Sequence, residues 1–293
     1  MCEKAKCNAN RLVIQYGMGV VRQPYLRVMP WQVSHDGIPM ILPRMGSITL
    51  NVQIGDSVYG MEGDHVEPGV SIKNPGEEEN NALNLLSCIG NPATVISGAA
   101  KGDQGFVTGH HGGVDDLILY FPRETLEKMT VEDKVQVRMQ GRGMKIEGFE
   151  DTVHCISVDP QLFEKMNITV EDGKLVVPVA AKVPPYLMGS GMGEFSAVKG
   201  DYDIMTADRA EIRRLGLDKL RYGDIVLLED CDNTYGRGYL RGAVSVGVII
   251  HGDCILMGHG PGVSTLFSAK TPVIEGRLDP RANLADLMGV CRE

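Results

Sequence analysis

The sequence predicts a mainly β protein, a β-rich α+β chain of two barrel-like or sandwich-like lobes with short crossover helices. Three observations carry that expectation. Glycine is abundant at 36 residues and proline stands at 15, which favours a turn-rich chain over a helical bundle. The apolar residues fall in short runs of strand length rather than long periodic stretches. A unit of short helix, acidic turn and apolar strand also recurs, at residues 122–139, 160–179 and 208–228, as expected of corners between strands.

Taken in order, residues 1–10 are polar and are expected to form a flexible tail. An N-terminal lobe follows over 11–148 and a C-terminal lobe over 149–293, because the repeating pattern lapses near 147–151. Residues 11–21 mix β-branched side chains with a Gly17-Met18-Gly19 break, predicting a strand with a bulge. Pro24 and Pro30 make residues 25–33 extended or an edge. Ile48, Leu50, Val52 and Ile54 alternate with Thr49, Asn51 and Gln53, the cleanest period-two strand in the chain. Gly55-Asp56 then signals a hairpin into Ser57-Val58-Tyr59. Residues 74–81 (NPGEEENN) predict a charged surface loop and 82–89 a helix-compatible patch. Residues 92–100 and 104–108 flank Gly102-Asp103 as a second hairpin that delivers the chain to His110, and 117–121 continue as a buried strand.

Composition removes several classes of function. A net charge of −9 supplies no basic footprint for nucleic acid. No apolar stretch approaches the ~20 residues of a membrane span. The N-terminus has no apolar segment of a signal peptide, so a cytoplasmic location is expected and the seven cysteines are expected as reduced thiols. Cys2 and Cys7 fit no zinc spacing. No P-loop is present, so no nucleotide cofactor is expected.

The chemistry concentrates in glycine-flanked histidines and paired aspartates. The segment 258–266 (GHGPGVSTL) sets His259 between glycines, and 109–117 (GHHGGVDDL) matches it at five of nine positions. A histidine between glycines has little packing role, and the glycines let a ligand approach. It therefore suits a metal ligand or a general base. Asp201 with Asp203, Asp230 with Asp232, and His251 with Asp253 are each two residues apart, so on strands each pair would share a face. Carboxylate and imidazole together suit a divalent ion of the Zn, Mn or Fe type, and the alternative for each aspartate is a turn cap. His35 and His65 lie beside Asp36 and Asp64 in loops and rank below these, while His154 is expected half-buried in a strand. Ser264, Thr265 and Cys254 are conceivable nucleophiles, although no GxSxG elbow is present. Ser190, within 189–193, is expected in a nest of backbone N–H groups for an anion, and Arg237 and Arg241 as an anion clamp or as partners of the surplus acids.

With these residues laid out, the chain resembles a prokaryotic family catalogued as domain of unknown function 4438. The resemblance rests on residues 108–114 (TGHHGGV), 200–204 (GDYDI), 232–237 (DNTYGR) and 258–263 (GHGPGV), and spans nearly all of the chain after the tail. It implies a mostly β fold with more than one subdomain, and it makes His111 the better site candidate of the adjacent pair. It implies no activity. In style rather than in aligned motif, the glycine-flanked histidine is also similar to the acetamidase/formamidase group of metal-dependent amide hydrolases.

The expectation that follows is a metal-assisted hydrolase, or related lyase, acting on a small polar molecule such as an amide or cyclic amide. His259, His111 and Asp232 are the expected catalytic residues. Arg237, Asn233, Ser190 and Ser264 would bind substrate, and Asp201, Asp203, His251 and His259 would hold the metal. The partner is a small molecule, with no nucleic acid and no membrane, and the chain is expected as a homo-oligomer. The alternative is a non-catalytic small-ligand-binding or assembly protein.

Overall fold

Strand Gln15–Val21 pairs along both of its edges. One edge meets Lys134–Met139, antiparallel, from Val20↔Lys134 to Gln15↔Met139. The other meets Gly69–Lys73 through Val20↔Lys73 and Val21↔Ile72. That second pairing closes a six-strand barrel in the order Gln15–Val21, Lys134–Met139, Pro92–Val95, Gln104–His111, Asp116–Tyr120, Gly69–Lys73. This computed structural model describes residues 3–25 and 31–290. The chain is mainly β, with 36% strand and 14% helix, and has two domains.

Apolar burial explains the barrel. Val21, Val70, Ile72, Val95, Val107, Leu117, Leu119, Val135 and Val137 fill one core. Phe106 and Ile118 point the other way into the core of the second lobe, so Asp116–Tyr120 is buried on both faces and reads as a continuous apolar run. Gly17 and Gly19 mark no bulge, since the register with Lys134–Met139 is unbroken. They are small because the barrel is full: a Cβ at Gly19 would lie 2.7 Å from Ile72 Cδ1, and one at Gly17 2.9 Å from Met139 Sδ.

Four further expectations change. The alternating segment 48–54 is a strand only at Ile48–Thr49. Leu50 is exposed while Val52 and Ile54 enter the second core, so its apolar side chains share no face. After Gly55, residues 55–58 pair with 220–222 rather than turning back as a hairpin. The acidic residues of 74–81 open the helix Glu77–Leu86 instead of a loop, where three glutamates meet the positive end of the helix dipole. The opening segment, expected as a flexible tail, is paired where described: Glu3–Lys4 lies antiparallel to Thr169–Glu171. Cys2, and most of the 25–33 segment, lie outside the described residues.

The second lobe faces two sheets together. One has five strands, in the order His154–Cys155, Val263–Ala269, Gly238–Ile249, Ile225–Asp232, Ala181–Val183. The other has four, Glu3–Lys4, Thr169–Glu171, Lys174–Val179, Ile274–Leu278. Leu227 of the first reaches Gly276 of the second, where a Cβ would meet its Cδ1 at 2.8 Å. The expected corner helices form at Arg123–Leu126, Pro160–Lys165 and Arg209–Arg214. Asp159 caps the second by accepting from Gln161 N and Leu162 N, and Asp208 caps the third. Among the described residues no helix is long and apolar enough to cross a membrane.

Candidate metal centre

The aspartate pair owes its aim to backbone pairing. Tyr202 and Val263 exchange both N–H···O bonds at 3.0 Å, and Ile204 N donates to Pro261 O at 2.9 Å. This antiparallel contact sets residues 201–204 in extended alternation, so Asp201 and Asp203 share one face while Tyr202 is buried on the other. Gly262 lies opposite Asp203. A Cβ there would stand 2.1 Å from Asp201 Oδ2 and 2.3 Å from His251 Nε2, so only glycine leaves that space open.

Four histidines converge on this face. His111 ends the strand Gln104–His111, His251 follows the strand Gly238–Ile249, and His65 and His259 come from loops. The His111 and His251 rings stack with centroids 4.5 Å apart, and His65 lies 4.9 Å from His251 and 5.2 Å from His259. Each of three rings has its Nδ1 against a group that can only accept. His65 Nδ1 donates to Asp64 Oδ1 at 3.0 Å, His111 Nδ1 to Glu67 Oε1 at 2.5 Å, and His251 Nδ1 to Gly252 O at 2.9 Å. Nδ1 therefore carries a proton in all three, and Nε2 is the atom that faces the aspartates. His251 Nε2 also meets an acceptor, Asp201 Oδ2 at 2.8 Å, so that ring holds both protons until a cation displaces the one on Nε2. Carboxylate or carbonyl behind, lone pair in front, is the arrangement that orients metal-binding imidazoles.

The facing atoms are close. His251 Nε2 is 2.8 Å from Asp201 Oδ2 and 3.6 Å from Asp203 Oδ1. His259 Nδ1 is 2.9 Å from Asp203 Oδ2 and 3.3 Å from His65 Nε2. Asp201 Oδ1 also accepts from Gly112 N at 2.7 Å, which ties the barrel loop to the second lobe.

Electrostatics favour a cation here. Burial alone would raise the Asp201 carboxyl, but the His111 charge and the His251 hydrogen bond hold it well below the usual range. Burial likewise opposes Asp203, which the hydrogen bonds from His251 and His259 keep low. Burial would lower His251, yet its bond to Asp201, then Asp203, raises it well above 6.5. His65 is lowered by burial, against the Asp64 hydrogen bond. Two carboxylates buried together each cost several kcal/mol of desolvation. One imidazolium balances only one of them, whereas a divalent ion balances both.

The cluster forms the floor of a cavity of about 590 Å³ whose lining includes His65, His111, His259, Arg44, Lys199 and Arg237. Arg44 pairs with Asp64 at 2.9 Å and Lys199 with Asp115 at 3.0 Å. Arg237 is buried, donates to Lys199 O at 3.3 Å, and leaves its Nε without a partner. Burial lowers its pKa, and no carboxylate lies within 4.0 Å of it among the described residues.

Residues 31–164 match the N-terminal domain, and residues 165–288 the C-terminal domain, of a family described as "Domain of unknown function (DUF4438)". The chain belongs to the DUF4438 family. A solved structure described as "Crystal structure of TM1086" is similar to this DUF4438 chain at 44% identity and a TM-score of 0.92, covering 97% of this chain and 99% of that one. No curated protein is significantly similar to it.

Among the expected DUF4438 site residues, the structure gathers His111, Asp201, Asp203, His251 and His259 into the cluster, and places Arg237 and Ser190 on the cavity wall. Others it does not bring there. Asp232 accepts from Thr234 N at 2.9 Å and is not among the cavity lining, and a bulge between Glu229 and Cys231 breaks its alternation with Asp230. Asn233 is buried with its Nδ2 donating to Thr265 Oγ1 at 3.0 Å. Ser264 ties the lobes, its hydroxyl donating to His110 O at 3.0 Å and accepting from His110 N at 3.1 Å. Asp253 turns away from His251 to bind Thr206 and Arg209. The expected nest at Ser190 does not form, since the N–H groups of Ser190, Met192 and Gly193 are donated to Gly258 O, Gly189 O and Arg237 O. Arg241 is exposed.

The alignment of the two glycine loops pairs His110 with His259, but the structure does not. His110 is buried with Nε2 3.0 Å from Ser157 Oγ, and burial pushes its pKa down to about 3. His65 with Asp64, ranked below the other candidates in the sequence, and Glu67, which the sequence did not single out, also belong to the cluster. The local signal was the Asp64-His65 pair; its partner His259 lies 194 residues away.

Proposed function

We propose that this protein is a divalent-metal-dependent hydrolase, or a related lyase, acting on a small polar molecule with an amide or cyclic amide and an anionic group. One observation carries the reading: His65, His111 and His251 each hold a proton on Nδ1 against Asp64, Glu67 and the Gly252 carbonyl, and turn Nε2 toward Asp201 and Asp203. Borderline ligands of this kind suit Zn, Mn or Fe. A bound ion would bring the pKa of its water near 7 and polarise a carbonyl oxygen. Hydrolysis of an amide there would join the water's oxygen to the carbonyl carbon, break the C–N bond and pass the water's proton to the leaving nitrogen. Arg237, buried and with no carboxylate within 4.0 Å among the described residues, supports an anionic group on the substrate.

The test is elemental analysis of protein purified without chelator, followed by stripping and restoration with Zn²⁺, Mn²⁺ or Fe²⁺ during turnover of amides and cyclic amides. Turnover that depends on the restored ion, with no bound ion in His251→Ala, supports the proposal. Full turnover by a metal-free preparation overturns it.

A further inference from the structure

The cluster offers more ligand atoms than one ion can use. His111, Asp201 and His251 place ligand atoms within 4.8 Å of one another, and so do His65, Cys254 and His259. The two sets share no residue. Between them stands Asp203, with Oδ1 3.6 Å from His251 Nε2 and Oδ2 2.9 Å from His259 Nδ1 and 3.8 Å from His65 Nε2.

We infer that the site holds two divalent ions, bridged by the two oxygens of Asp203. This rests on the metal reading above. The inner ion takes His111 Nε2, His251 Nε2, Asp201 Oδ2 and Asp203 Oδ1. The outer ion takes His65 Nε2, His259 Nδ1, Asp203 Oδ2 and Cys254 Sγ.

The spacing fits. Ligand atoms about 2.0–2.1 Å from a tetrahedral Zn²⁺ lie roughly 3.3 Å from each other. His65 Nε2, His259 Nδ1 and Asp203 Oδ2 form a triangle with edges of 3.3, 2.9 and 3.8 Å, the face such an ion would sit on. A carboxylate spanning two ions suits a separation of about 3.5–4 Å, the spacing of two-metal hydrolytic sites. Cys254 Sγ completes the set: it is buried, with Leu256 N 3.3 Å away, and burial and the neighbouring Asp64 charge raise its thiol, so the ion would have to displace the proton. The His259 side chain is 30% exposed at the cavity, so the outer ion is the one a substrate meets.

The inner position is preformed by backbone. Gly262 keeps the space beside Asp201 Oδ2 and His251 Nε2 clear, and Gly112 N fixes the remaining Asp201 oxygen. The inner ion is therefore expected to bind first and more tightly.

Native mass spectrometry of the stripped full chain, titrated with Zn²⁺, tests the stoichiometry. Two ions per wild-type chain are expected, falling to one in His259→Asn and in Cys254→Ser. One ion per wild-type chain at saturating Zn²⁺ overturns the two-ion site but leaves the hydrolase proposal standing; no ion overturns both. Retention of two ions by the His259→Asn, Cys254→Ser double variant also overturns it. Titration with Co²⁺ gives a second readout. A thiolate-to-cobalt charge-transfer band should grow only with the second equivalent and vanish in Cys254→Ser; its absence from the wild-type chain overturns the outer site.

Discussion

His111 and His251 stack face to face, centroids 4.5 Å apart and planes inclined by 26°, one from the end of a barrel strand and the other from the second lobe. Their Nδ1 protons point away from each other's ligand face, to Glu67 and to the Gly252 carbonyl. The interface between the lobes is thus also the wall of the candidate site, and the first lobe brings His65 and His111 to the Asp201 and Asp203 carboxylates of the second.

His251→Gln is expected to lose bound metal and to destabilise the metal-free chain. It strands the buried Asp201 and Asp203 carboxylates, whose charges His251 offsets at 2.8 and 3.6 Å. Breaking a buried pair in this way costs about 3–5 kcal/mol. For a chain of this size that lowers Tm by roughly 10 °C. Elemental analysis and thermal melts with and without chelator check both effects.

Gly262→Ala is expected to expel the metal while keeping every ligand. Its backbone is outside the left-handed region, so alanine is not strained there, but the added Cβ would lie 2.1 Å from Asp201 Oδ2 and 2.3 Å from His251 Nε2. Metal affinity should fall on the order of a hundredfold, as for lost supporting contacts. Gly238→Ala is the control, because nothing lies within 4 Å of a Cβ there. Zn²⁺ titration of the two variants makes the comparison.

Arg237→Ala should leave the metal content unchanged and weaken binding of an anionic substrate. The guanidinium has one backbone acceptor, Lys199 O at 3.3 Å, and an unused Nε. Loss of a charged hydrogen bond worth about 1.5–3 kcal/mol corresponds to roughly a 10–100-fold rise in KM. Arg237→Lys should recover only part of it, since the ammonium lacks the planar fork. Steady-state kinetics on carboxylated and uncharged amides separate the two effects.

Acid should destabilise the fold through His110. Burial, then the Arg142 charge, pushes its pKa from 6.5 down to about 3. Between those values the unfolded chain holds the proton and the folded chain does not, so stability is present above 6.5 and is lost as pH falls toward 3. The loss is a few kcal/mol at most (about 1.4 per pKa unit). His110→Gln should flatten this limb, which urea midpoints at about pH 7 and about pH 4.5 would show.

Several elements are legible in local sequence. The Gly102-Asp103 hairpin, the corner helix Pro160–Lys165 and the strand Lys134–Met139 all follow from turn chemistry and short-range apolar pattern. Local pattern misled where pairing was decided elsewhere. Residues 48–54 alternate, yet Leu50 faces solvent and Val52 enters the second core.

The same division holds at the site. The sequence alone singled out glycine-flanked histidines and spaced aspartates, and the structure sets His111, His259, Asp201 and Asp203 in one cluster. The sequence named Asp201 and Asp203 as a pair because two-residue spacing survives wherever the backbone is extended. Only the tertiary structure decided which pairs keep that geometry. Asp201 and Asp203 are held by pairing with residues 261–263, while a bulge turns Asp230 from Asp232 and Arg209 draws Asp253 from His251. It also brought in His65 and Glu67, because convergence at a metal centre depends on where strands end in space, and no spacing along the chain encodes that.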